Sequence, residues 1–312
     1  MQFPFKLKQN KDFDVVGFGT NAVDFLIQVP EYPDFNSKIE LNDYVQAAGG
    51  EVATTMAGLQ RLGLKTAYAG RFGTDAAGDF GIQSLVDEGV DVRFAERIAG
   101  ARTQIAFIII DVRNGERTVI WHRDTKLAYN ESDAPLEAAV LGKALHFTPH
   151  DAGACLQMAK RAKADGVIVS IDIDNVFDGV EDVLPYVDVM IASAEFPQKF
   201  LGIADKRAAL MEIHSRFGCR VAGVTLGGSG SLLLSDDTFV ETNGFSVPNG
   251  CKDTTGAGDA YRTGLLFGLL NGKTVEESAK MANAVAALKC RAVGARTSLP
   301  NLDELNDLLG CG

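Results

Sequence analysis

Short apolar, β-branched runs alternate with amphipathic segments through most of the chain. Residues 15–19, 66–69, 167–173, 187–191 and 221–225 are apolar almost without interruption and predict buried strands. Between them, 53–62, 79–88, 152–164 and 206–217 carry apolar positions at helical spacing. Strands that alternate with helices must be joined by crossovers, which place helices on both faces of a mostly parallel sheet. The pattern therefore predicts a three-layer α/β/α fold. No 20- to 50-residue repeat and no low-complexity linker divides the sequence, so a single domain over 1–312 is expected.

Two stretches break the alternation. Residues 25–44 contain Pro30 and Pro33 and show period-2 character with no helical pattern. Residues 103–111 and 117–123, joined across Arg113-Asn114-Gly115, read as a hairpin with an Asn-Gly turn. These pieces predict a small β lid, from about 24–47 and 102–124, over the carboxyl edge of the main sheet, where open α/β folds place ligands.

Charge narrows the function. Thirty Lys and Arg against 41 Asp and Glu give a net charge of −11, and no basic run offers a face for phosphate backbones, so a nucleic-acid partner is not expected. No apolar stretch approaches membrane-spanning length, and the opening MQFPFKLKQNKDFD lacks the apolar core of a secretory signal. Five cysteines without CxxC spacing read as reduced thiols. Together these predict a cytoplasmic protein.

The chemistry concentrates in Asp253-Thr254-Thr255-Gly256-Ala257-Gly258-Asp259, followed by the helical pattern 262–270. Small residues just before a helix let the amides of Gly256, Ala257 and Gly258 converge on an anion, with the positive helix end behind them. A carboxylate at Asp259 would repel a resting phosphate. It makes sense as a base acting on the group that attacks phosphorus. Asp also caps helices, and a bare GxGD leaves that reading open.

The whole motif resembles the DTxGAGD of the PfkB, or ribokinase-like, carbohydrate kinases. Gly49-Gly50-Glu51-Val52-Ala53-Thr54-Thr55 resembles that family's amino-terminal motif, and Gly70-x-x-Gly73-x-Asp75-x-x-Gly78 its GxxGxDxxG. The resemblance covers nearly the whole chain. It implies a ribokinase-like fold and an ATP-dependent sugar kinase that uses Mg²⁺ and phosphorylates a primary hydroxyl. Asp259 would be the base, and 256–258 the anion hole. Asp24, Gly49 and Gly50 would line the sugar pocket with Thr54. Thr225, Gly227 and Gly230 would form the nucleotide loop, with Asn283 on the helix bordering adenine. Glu195 would act on Mg²⁺ through water, and Asp253 and Ser298 lie where this family holds a potassium ion.

Two positions depart from the family pattern: Thr54 and Ala192 stand where Asn is usual. GGEVAT, Gly115-Glu116-Arg117 and 286–290 look closest to the branch that includes sulfofructose kinase. At the lid tip, Arg123 could meet a charged substituent of the substrate or protect an exposed edge. Trp121 and Phe107 read as lid packing or a homodimer surface, which an open lid sheet would suit.

Other readings are weaker. A nucleoside kinase would use the same scaffold with an aromatic or apolar pocket for the base, and a non-catalytic sugar or nucleotide sensor would keep the pocket. Gly17-x-Gly19-x-x-Ala22 imitates a dinucleotide fingerprint, but alternation after it predicts a strand where an NAD-dependent oxidoreductase needs a helix. GLLNGKT at 268–274 reads as a helix end. His146 and His150 have metal-like spacing but flank Pro149, which argues against zinc.

Overall fold

The computed structural model describes residues 5–310. In chain order, β1 (Phe13–Phe18), β2 (Ala22–Val29) and β3 (Asp43–Gly49) precede α1 (Glu51–Arg61), β4 (Thr66–Gly73), α2 (Ala76–Asp87) and β5 (Asp91–Ile98). The hairpin β6 (Ile105–Asp111) and β7 (Arg117–His122) leads to β8 (Gly142–Phe147), α3 (Ala152–Ala164), β9 (Ile168–Ile173), α4 (Val180–Val183) and β10 (Val189–Ala192). The remaining elements are α5 (Phe196–Leu201), α6 (Lys206–Phe217), β11 (Val221–Thr225), β12 (Ser231–Ser235), β13 (Thr238–Thr242), α7 (Ala257–Leu270), α8 (Val275–Lys289) and α9 (Leu302–Leu309).

Nine strands form the main sheet in the order β13-β12-β11-β10-β9-β8-β1-β4-β5. All pairs from β11 to β5 are parallel; the β12–β13 hairpin adds an antiparallel edge. Alternation splits the strands between two cores. Val16, Phe18, Leu145, Phe147, Val169 and Ile171 pack with Met158 of α3 and with Leu210 and Ile213 of α6. Val15, Tyr68, Ala144, Val189 and Val221 pack with Met56 of α1, Leu265 of α7 and Val285 of α8. Both Val15 and Val16 are fully buried, which is why β1 reads as an unbroken apolar run.

The lid is a separate four-stranded sheet, β3-β2-β6-β7, in which β2 and β6 run parallel. Its strands begin at Ala22 and extend to Gly49, two residues beyond the expected 24–47 at each end. The β6–β7 turn is longer than an Asn-Gly hairpin. Of its residues Gly115 alone has positive φ, at 73°, and the Gly115 N–H returns to the Asp111 carbonyl. A two-residue type I′ turn would require Asn114 in that region too. The Asp75 carboxylate caps α2 at Gly78 and holds the amide and hydroxyl of Thr103 where the chain re-enters the lid.

Among the described residues no helix is long and apolar enough to cross a membrane. Cys155, Cys219 and Cys290 are buried free thiols and Cys251 is exposed; Cys311 lies outside the described residues. The segment after Gly17-x-Gly19 enters β2 rather than a helix, so it does not present a helix end to a pyrophosphate. The 268–274 segment spans the end of α7, with Gly272 at φ 70°.

Candidate active site

The parallel strands end along one edge beneath the lid, and a cleft of about 1130 Å³ opens there. Thr20, His150, Asp172, Asp174, Ser193, Glu195 and Thr225, each at or just beyond a strand's carboxyl end, form its floor. Asp24, Ala106, Ile108, Arg117 and Trp121 of the lid form its roof. The volume exceeds the roughly 300–1,000 Å³ usual for one small ligand, so it has room for two reactants side by side.

Asp259 lies in the first turn of α7 and faces the middle of this cleft. Gly256, at φ 76°, is the residue before that helix, and a Cβ there would sit 2.8 Å from the Ala295 Cβ. The turn therefore depends on glycine in both conformation and space. The Ala257 N–H closes it onto the Thr254 carbonyl. That is a correction to the expected three-amide cradle: of the turn's amides, those of Gly256, Gly258 and Asp259 have no acceptor among the described residues. The two sequence motifs meet directly, because Thr55 of α1 and Thr263 of α7 both donate to the Asp259 carbonyl.

The cleft is acidic. Burial, then the charge of Asp172, pushes Asp259 up to about 7, with Arg262 and Arg117 opposing. Burial also raises Asp172 to about 6 although Arg262 pairs with it at 2.6 Å. Glu51 is held well above the ordinary range by burial and by Asp174, Asp172 and Asp259. At the sugar side, burial lifts Asp24 to about 6 while Arg296 lowers it. His150 is pushed down to about 4 by burial and Arg123, so it is a neutral ring; it packs against Phe177, with Trp121 edge-on to it.

Several expected residues stand elsewhere. Arg123 does not line the cleft: both its terminal nitrogens bind Asp151, at 2.9 and 2.6 Å. Arg117 does, donating to Thr254 Oγ1 across the lid at 2.7 Å. Trp121 lines the cleft rather than only packing the lid. Thr54 is fully buried beneath it, accepting from Arg296 Nε, whose Nη2 reaches the Gly49 carbonyl at 2.5 Å. Asn283 borders the cleft, but its amide is spent on Ser231, Thr242 and the Ala279 carbonyl, which fastens α8 to the β12–β13 hairpin. Gly227, Gly230, Thr225 and Glu195 all line the cleft's other end.

His146 is fully buried, with Nδ1 on Ser170 Oγ, so it forms no pair with His150. Among the described residues no group of three or more His, Cys, Asp or Glu could hold a metal by itself. The lining fits Mg²⁺ carried mainly by phosphates and water, with Asp174 and Glu195 on the floor as oxygen donors. Potassium does not fit. Ser298 points its hydroxyl at the Lys289 carbonyl, and the Lys289 ammonium lies against Asp253.

Residues 13–302 match the pfkB family carbohydrate kinase model, so the chain belongs to that family and is a sugar or nucleoside kinase. It is 24% identical to a nucleoside kinase of Methanothermobacter thermautotrophicus over 309 residues, 95% of each chain. The fold is that of a putative ribokinase from Agrobacterium tumefaciens (TM-score 0.88, 23% identity, 96% and 97% of the chains covered). It is also that of Arabidopsis thaliana ribokinase complexed with ribose and ATP (TM-score 0.81, 23% identity, 95% and 98% covered). These comparisons do not single out the sulfofructose-kinase branch.

Proposed function

We propose that the chain transfers the γ-phosphoryl group of ATP to a primary hydroxyl of an uncharged sugar. The observation that carries this reading is a carboxylate raised to about 7, Asp259, beside the open amides that begin α7, in one cleft with Asp24. A base near neutrality can take a hydroxyl proton and still be ionised at working pH. The amides of Gly256 and Gly258 meet the transferred group from the positive end of a 14-residue helix.

The sugar lies against Asp24, Gly49 and Gly50, whose carboxylate suits a pair of vicinal hydroxyls. Asp24, Glu51 and Asp174 make this part of the cleft acidic, and of the two arginines in its lining Arg262 is paired with Asp172 and Arg117 donates to Thr254, so a substrate phosphate or sulfonate would be disfavoured beside the three carboxylates. ATP occupies the end made by Thr225, Gly227 and Gly230, with Asn283 behind it. Bound Mg²⁺ would neutralise charge on the phosphates. Arg117, reaching from lid to catalytic turn, closes the roof and excludes the competing water. The exposed Tyr44, Phe107 and Ile120 of the lid suit a second copy of the chain, and the compartment is the cytoplasm.

A nucleoside acceptor is the second reading. Trp121, His150 and Phe177 form the aromatic wall that a base would need. A panel of free sugars, sugar phosphates and nucleosides, assayed for ADP release at fixed Mg-ATP, separates the two. Turnover with sugars supports the first reading and turnover with nucleosides the second. Turnover with sugar phosphates alone would overturn the uncharged acceptor, and no turnover with any of them would overturn both readings.

A further inference from the structure

Lys289 ends α8 and is fully buried. Its Nζ donates to the Asp253 carbonyl at 2.9 Å and lies 3.6 Å from Asp253 Oδ2. Asp253 is itself fully buried. Its two carboxylate oxygens each accept an amide at 2.8 Å, from Thr255 on one side and Gly294 on the other. This single side chain thus ties the segment entering the Gly256 turn to the 290–298 loop. Burial pulls Lys289 below the ordinary lysine range, and the Asp253 charge pulls it back.

A lysine is almost never this buried without a partner. Here its ammonium meets the carbonyl and the carboxylate of Asp253, the oxygen types a monovalent cation would use, while its backbone carbonyl accepts from Ser298, the other residue expected to hold potassium. A second cation within about 4 Å of the ammonium, away from water, would be repelled by several kcal/mol at an effective dielectric near 20. The ammonium's charge therefore excludes the ion.

We propose that Lys289 is a tethered substitute for the monovalent cation. It holds Asp253, and through it the Gly256 turn, so that phosphoryl transfer needs neither potassium nor ammonium. It is a positioning residue, touching no reactant. The proposal rests on the kinase reading, but half of its test does not.

The experiment compares wild type, Lys289→Ala and Lys289→Met in potassium, ammonium, sodium and tetramethylammonium chlorides at equal ionic strength. Wild-type turnover should agree within about two-fold in all four salts, while Lys289→Ala should lose about 10²-fold in tetramethylammonium and regain at least ten-fold in potassium or ammonium. Lys289→Met, whose side chain fills the space, should lose activity and not be rescued. In parallel, the melting midpoint of Lys289→Ala should rise with potassium and that of wild type should not. Potassium-stimulated wild-type turnover, or an unrescued Lys289→Ala with a flat melting series, would overturn the proposal. If the variants do not fold, the wild-type salt series decides it. Absence of wild-type turnover in every salt would instead count against the kinase reading, and the melting series would still judge Lys289.

Discussion

A Cβ on Gly49 would lie 1.9 Å from Oδ2 of Asp24. The two residues are diagonal neighbours on the β2–β3 ladder, where Ala22 opposes Gly49 and Asp24 opposes Ala47. The bare backbone of one is the space the other's carboxylate occupies. Gly49→Ala must therefore turn Asp24 away from the cleft. We expect KM for the sugar to rise at least about ten-fold, with KM for ATP nearly unchanged. An unchanged sugar KM would remove Asp24 from the pocket.

Asp259→Asn keeps shape and removes the base. Steady-state kinetics should show kcat reduced by at least about 10², the usual scale of general-base loss. Nucleotide affinity, measured by calorimetry without the sugar, should be retained or improved, because a negative charge facing the phosphates has gone. Near wild-type kcat would refute the assignment.

The raised carboxyl also predicts a pH profile. Since the ionised form of Asp259 is required, kcat/KM for the sugar should climb about ten-fold per pH unit between about 6 and a bend close to 7, and more steeply below 6, where Asp24 is protonated as well. An ordinary exposed carboxylate would place that bend near 4. Initial rates in a constant-ionic-strength buffer series would distinguish them.

Stability should run the opposite way. Asp24 and Asp259 bind their protons more tightly folded, at about 6 and about 7, than in the unfolded chain. The stability they contribute is complete below the unfolded value of about 4 and is lost as pH rises through the folded values. Asp259→Asn, which carries no charge to bury, should melt roughly 1–4 °C above wild type at pH 8. The gap should narrow by pH 5 and close near pH 4. A variant less stable than wild type at pH 8 would contradict the burial cost.

The layers were legible because their signals are local. Unbroken apolar runs such as Val221–Thr225 could only be buried strands, and a glycine turn before a helix marked the start of α7. The lid showed as alternation where helix was missing. Edge strand β5 and the β12–β13 hairpin escaped, because β5 is half-buried along its length and lacks a clean period. The site's charges were least readable. Nothing local in Asp172-Ile173-Asp174 says that both acids will share a cleft with Glu51, or that Arg262, three residues past Asp259, will cross to Asp172. By position in the sequence, Arg123 is the arginine expected at the substrate, and Arg117 is not. Only the fold shows that Asp151 captures the first and leaves the second over the cleft.

The short connections into the lid fix how it can move. Three residues separate β1 from β2, and Gly50 alone separates β3 from α1, so the roof is anchored beside Asp24 and Gly49. Any tilt pivots there and has its greatest travel at the far turn, where a Cβ on Gly115 would lie 3.4 Å from the Lys252 backbone. Leverage of that kind would let the nucleotide end breathe while the sugar end stays gripped.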